Sequence, residues 1–82
     1  SAGVVSYNIL RSTHIDGPYT LIDSVNWPAN EFVDTDGAPN SYYKIQEVGA
    51  GNSILTTSQP IAGEELLLKS SLRYELLDLL NC

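Results

Sequence analysis

Asp34-Thr35-Asp36-Gly37, with Glu31 just upstream, is the stretch of this sequence most like a cation loop. Carboxylates at alternate positions ahead of a glycine are what a calcium loop presents. An EF-hand loop also needs a glutamate at its twelfth position. Counted from Asp34 that position is Ile45, so the EF-hand assignment fails. An ordinary acidic turn is the expectation here, with a looser surface calcium site as the alternative. His14 is the only histidine. Nucleophilic catalysis sets a serine or cysteine beside a histidine and a carboxylate behind it. Asp16 is close in sequence, but both residues fall in a turn, so a solvated histidine is expected rather than a catalyst. One histidine makes no zinc site. The chain has no Walker loop, dinucleotide fingerprint, CxxC pair or glycosylation sequon; Asn40 and Asn52 precede serine directly, which is the wrong spacing. Cys82 is the only cysteine, so no intrachain disulfide can form; an inert thiol is expected, and an interchain disulfide is the alternative. The expectation is a protein with no enzymatic activity, cofactor or metal.

Composition narrows the partners. The 82 residues suit one small domain, and an apolar content of 43% is that of a folded chain rather than a disordered tail. Ten acidic residues against four basic ones give a formal charge of -6. That disfavours nucleic acid and anionic membranes, because phosphate contacts need clustered lysine and arginine, and Arg11, Lys44, Lys69 and Arg73 are scattered. No apolar run approaches the roughly 20 residues of a membrane-spanning helix. The first residues carry no basic stretch followed by an apolar core, so no signal peptide is expected, and a mature secreted chain would look the same.

The elements that would position these residues are mostly strands. Residues 42–48 alternate, with Tyr43 and Ile45 on one face and Lys44 and Gln46 on the other. Gly49 and Gly51 are expected to supply positive φ for a turn, and residues 54–58 return as the second strand of a hairpin. Residues 4–12 carry apolar side chains in both registers, which suits a strand covered on both faces for part of its length. Gly17-Pro18 marks a turn, residues 19–25 a further strand, and Trp27-Pro28 its end. A short strand is expected over 31–34. After Pro60 the period shifts toward 3.6: Leu68, Leu72, Leu76 and Leu79, flanked by Leu80, form one stripe of a helix over 64–80. Leu66, Leu67, Tyr74 and Leu77 widen that stripe almost to the full circumference, which calls for more than one neighbour.

The first 60 residues resemble a fibronectin type III domain of the bacterial and bacteriophage type. Residues 7–12 and 17–22 look like that family's C strand, turn and C′ strand. Residues 32–35 look like its E strand, residues 42–48 with 50–53 like its F strand and F–G turn, and residues 54–57 like its G strand. The resemblance implies a mainly β chain: an incomplete fibronectin type III-like (immunoglobulin-like) sandwich over residues 1–60. A C-terminal α-helix, or the start of a further domain, is expected over 61–82. Two departures stand out. Strands A and B have no counterpart, because only Ser1, Ala2 and Gly3 precede the C-like strand. The position usually held by the family's corner tyrosine is Ser41.

Without strand B, the E-like strand keeps an unpaired edge and the sheet loses part of its cover. The expectation is that the missing strands lie upstream in a longer polypeptide. Strand donation by another subunit, or cover by the C-terminal helix, are the alternatives. Trp27, beside a proline in a loop, and Leu68, Leu72, Leu76, Leu79 and Leu80 are the expected partner-binding residues. The function these features imply is a structural module of a large assembly. The resemblance alone implies the setting: an oligomeric bacteriophage virion protein of capsid, neck or tail that contacts subunits of the same assembly. The alternative is an extracellular accessory module of a secreted bacterial enzyme or surface protein.

Overall fold

The computed structural model describes residues 3–29, 31–34, 40–63 and 73–75. They form seven strands: β1 (Ser6–Ser12), β2 (Thr20–Asn26), β3 (Glu31–Val33), β4 (Tyr42–Val48), β5 (Ile54–Thr57), β6 (Ile61–Ala62) and β7 (Arg73–Glu75). The main sheet is antiparallel and runs β2-β1-β4-β5, with β6 also pairing with β4. A separate two-stranded ladder joins β3 to β7.

β1 and β4 are the centre of the sheet because their period-2 pattern gives them a continuous apolar side. Ile9 lies opposite Ile45, Arg11 opposite Tyr43 and Tyr7 opposite Glu47. On this inner face Ile9, Tyr43 and Ile45 are fully buried, and Val4, Tyr7, Phe32 and Ile61 complete the core cluster. Burying each such apolar side chain contributes about 1.5–3 kcal/mol. The residues between them, Asn8, Leu10, Lys44 and Gln46, face the other way and are half-buried. A bulge shifts the β1–β2 register between Ile9 and Leu10, so that Asp23 pairs with Ile9 and Leu21 with Leu10. The residue in excess, Ile22, packs against the core together with Val25, while Leu21 is exposed.

The hairpin expected over 42–58 is present as β4 and β5, joined by a single 3-10 turn at Ala50–Asn52. Its left-handed residues are Gly51 (φ 69) and Asn52 (φ 64). Gly49 is not left-handed, contrary to expectation: its φ is -99. Space explains this glycine instead. A Cβ there would come within 3.2 Å of the Leu55 side chain. β5 ends at Thr57, and the same edge of β4 is taken up again by β6. Ser58 bridges the gap. Its N–H donates to the Ile45 carbonyl at 2.8 Å, and its Oγ accepts the Ile45 N–H at 2.8 Å. The hydroxyl thus replaces the carbonyl that a continuous strand would offer to a buried donor.

The C-terminal segment departs from the expected helix where it is described. Arg73–Glu75 is a strand, antiparallel to β3, with Glu31 opposite Glu75, Phe32 opposite Tyr74 and Val33 opposite Arg73. An edge of β3 offers backbone donors and acceptors, and that pairing overrides the helical period at Arg73, Tyr74 and Glu75. The remainder of 64–80, including Leu68, Leu72, Leu76, Leu79 and Leu80, lies outside the described residues. One edge of β3 is therefore occupied by this chain's own β7.

Candidate functional site

Arg11, Asp34 and Tyr43 come together on the inner face. β1 and β4 set Arg11 opposite Tyr43, and Asp34 follows directly on β3, whose Phe32 is in the core. Arg11 Nη1 donates to both oxygens of Asp34, each at 2.8 Å, and the Tyr43 hydroxyl donates to Asp34 Oδ2 at 2.6 Å. The Phe32 and Tyr43 rings meet at 5.9 Å, tilted by 59°. A carboxylate as buried as Asp34 survives ionised only when paired and hydrogen-bonded, and both conditions are met here. The arrangement ties β3 to β1 and β4. The carboxylate that opens the Asp34-Thr35-Asp36-Gly37 stretch is turned inward onto an arginine; Thr35, Asp36 and Gly37 lie outside the described residues.

Sequence reasoning missed this cluster, although a signal was present. Tyr7, Ile9 and Arg11 share one face of β1, so an arginine sits at the end of an apolar row. Phe32 and Asp34 are likewise spaced for a common face. A charge in each of two apolar rows is the signature of a buried pair. Ser41 is buried, and its carbonyl accepts the Gly63 N–H at 2.7 Å.

Beside the cluster, an open cleft of about 340 Å³ is lined by Arg11, Ser12, Thr13, His14, Pro18, Thr20 and Ile22. His14 and Asp16 stand in the turn between β1 and β2. The His14 N–H donates to Ser12 Oγ at 3.1 Å, and its carbonyl accepts the Gly17 N–H at 3.0 Å. Gly17 takes a left-handed conformation (φ 85), where a side chain would strain the turn. The lining supplies hydroxyls, an imidazole and the Arg11 guanidinium. Its groups can hydrogen-bond a small polar molecule.

The outer face is polar and shallow. Asn8 donates to Gln46 Oε1 at 3.3 Å, and Gln46 donates to Thr57 Oγ1 at 3.5 Å. The Lys44 ammonium sits 4.7 Å from the centre of the Tyr19 ring. Partial loss of water lifts the Tyr19 phenol above its ordinary value, and Asp16 and Tyr42 push it further in the same direction.

At one end of the sheet three apolar residues are exposed, with the buried Val48 between two of them. Trp27 donates its N–H to Val5, Val5 donates to Val48, and Val48 pairs with Ile54. Trp27 is 58% exposed, and Val5 and Ile54 are each 50% exposed. Trp27 is thus the expected partner-binding residue that the described structure places at the surface. No family model, curated protein or solved structure matches this chain.

Proposed function

We propose that this chain is a non-enzymatic structural module, a fibronectin type III-like sandwich that contacts neighbouring subunits of a large assembly. The strand order β2-β1-β4-β5 supports the fold reading. The resemblance assigns these strands to C′, C, F and G, which such sandwiches gather in one sheet, and places β3 in the other. β7 pairs with β3 in a ladder apart from the main sheet. The bacteriophage virion, as capsid, neck or tail, is the setting that the resemblance implies.

The observation that carries the assembly reading is the exposure of Val5, Trp27 and Ile54. A chain with a net charge of -6 repels copies of itself, so exposed apolar side chains at one end of the sheet are where contact between copies costs least. Tryptophan is also the side chain most enriched at interface hot spots. Leu68, Leu72, Leu76, Leu79 and Leu80 join the proposal on sequence grounds.

The sole tryptophan makes the test direct. Light scattering and Trp27 emission are measured together across a protein dilution series. Assembly through these residues moves the emission to shorter wavelength as particle mass rises, and Val5→Asp with Ile54→Asp removes both changes. A particle of 8.9 kDa at every concentration, with constant emission, would sink the proposal.

A further inference from the structure

We propose that the cleft at the turn between β1 and β2 is a binding site for a neutral sugar, one pyranose unit in size. The proposal goes beyond the assembly reading and does not rest on it. Arg11 pairs with Thr20 at one end of these two strands, and Ser6 pairs with Asn26 at the other. The cleft therefore lies at the end of β1 and β2 opposite Val5 and Trp27.

The lining selects the ligand. Ser12, Thr13 and Thr20 contribute hydroxyls that both donate and accept, His14 contributes an imidazole, and Pro18 and Ile22 contribute an apolar wall. Ser12 is buried, and its Oγ accepts the His14 N–H at 3.1 Å. That oxygen makes no other hydrogen bond among the described residues, so its own proton is left to donate into the cleft. The side chains of Thr13, His14 and Thr20 are exposed and make no hydrogen bond among the described residues. Charge then sets the class. Arg11 lines the cleft, but its Nη1 donates to both oxygens of Asp34 at 2.8 Å, and the two charges offset each other. A net charge of -6 further disfavours an anion. A cation finds no carboxylate among the lining residues. What fits is a neutral molecule with several hydroxyls and an apolar face. A pyranose has both, with hydroxyls around its rim and C–H bonds on its faces.

The site is also held in shape without a ligand. The Gly17 N–H donates to the His14 carbonyl at 3.0 Å, and the Tyr19 hydroxyl donates to the Ile15 carbonyl at 2.8 Å. Ile22 packs against the core. A wall fixed in this way loses little freedom when a ligand arrives. The volume of about 340 Å³ falls within the range of small-molecule sites.

The test is a titration of the isotope-labelled chain followed by its amide resonances. The probes are glucose, galactose, mannose and N-acetylglucosamine, with inorganic phosphate and acetate as anions. A sugar should move the signals of Thr13, His14, Gly17 and Thr20 to saturation and leave those of Ile54 and Thr57 in place. Thr13→Val with Thr20→Val keeps the side-chain shapes and removes two hydroxyls. It should weaken binding about tenfold, the scale of one lost hydrogen bond. Thr57→Val, on the outer face, should bind as the parent does. An unchanged spectrum away from the cleft shows that each variant is folded. No saturable shift from any of the four sugars overturns the proposal, and so does equal binding by the parent and the double variant. Shifts caused by phosphate or acetate alone also overturn it, in favour of an anion site. A free sugar and a unit of a longer glycan share this chemistry. Methyl glycosides of the sugar that binds separate the two: retained binding assigns the site to a glycan, and lost binding assigns it to the free sugar.

Discussion

β1 and β4 present two surfaces built from the same strands, and the two use hydrogen bonds to different effect. On the inner face Tyr43 donates to Asp34 at 2.6 Å, with Arg11 closing the cluster and Ile9 and Ile45 alongside. On the outer face Asn8, Gln46 and Thr57 form a ladder at 3.3 and 3.5 Å, half-covered at most. Water competes for every group on the outer side and for few on the inner side. A side-chain hydrogen bond in water is worth little net, whereas a buried group left without its partner loses its full desolvation energy. The difference teaches that the charged residues of this chain must be weighed by face. Asp34 serves the fold, and the outer ladder tunes a surface.

The largest expected effect tests the inner face. Asp34→Ala leaves the Arg11 guanidinium and the Tyr43 hydroxyl beside an emptied site. Breaking a fully buried pair costs about 3–5 kcal/mol; the Arg11 side chain is 27% exposed, so the loss should fall below that range and still be a large share of the roughly 5–15 kcal/mol typical of a domain. Urea denaturation should show it as a much lower midpoint. Gln46→Ala, on the outer face, should stay within about 0.5 kcal/mol of the parent. Equal losses from the two substitutions would erase the distinction between the faces.

A smaller effect sharpens the comparison along a single strand. Ser58→Ala removes the oxygen that accepts the buried Ile45 N–H. An unsatisfied buried donor costs about 1–3 kcal/mol. Ser58→Thr keeps the oxygen and should recover most of the loss. Amide hydrogen exchange at Ile45 is the direct readout: protection falls in the alanine variant and returns in the threonine variant. Unchanged protection in Ser58→Ala would mean that the β5–β6 gap is bridged by something other than this hydroxyl.

What could be read from the sequence follows the range of the physics involved. The β4–β5 hairpin and the alternation of β1 are local, so residues 42–48 and 54–57 declare themselves by period and turn chemistry. The bulge that brings Ile22 inward depends on pairing with β1, and nothing within residues 19–25 encodes it. The role of Gly49 depends on where Leu55 lies. β7 is the extreme case, because three residues inside a leucine-rich stretch pair with a strand some forty positions away. Their local period argues for helix, and only the edge of β3 argues otherwise. Asp34 was legible as an acidic turn residue. Its partner Arg11 lies 23 positions upstream, and only the shared inner face joins the two.

The smallest expected effect belongs to the outer face and is a pH dependence. The Tyr19 phenol titrates above its ordinary value in the folded protein, chiefly through loss of water and then through Asp16 and Tyr42. The folded state thus holds this proton more tightly than the unfolded chain. The associated stability is fully present below pH about 10, where the unfolded phenol titrates, and is lost as pH rises through the higher folded value. Denaturation midpoints measured from pH 9 to 11 should therefore fall more steeply for the parent than for Tyr19→Phe, whose ring cannot ionise. The variant also lacks the hydroxyl that donates to the Ile15 carbonyl at 2.8 Å, so it begins slightly less stable. The quantity to compare is the slope with pH and not the starting value. Parallel slopes would show that the outer face contributes nothing to alkaline stability, and the contrast between the two faces would then be sharper than proposed.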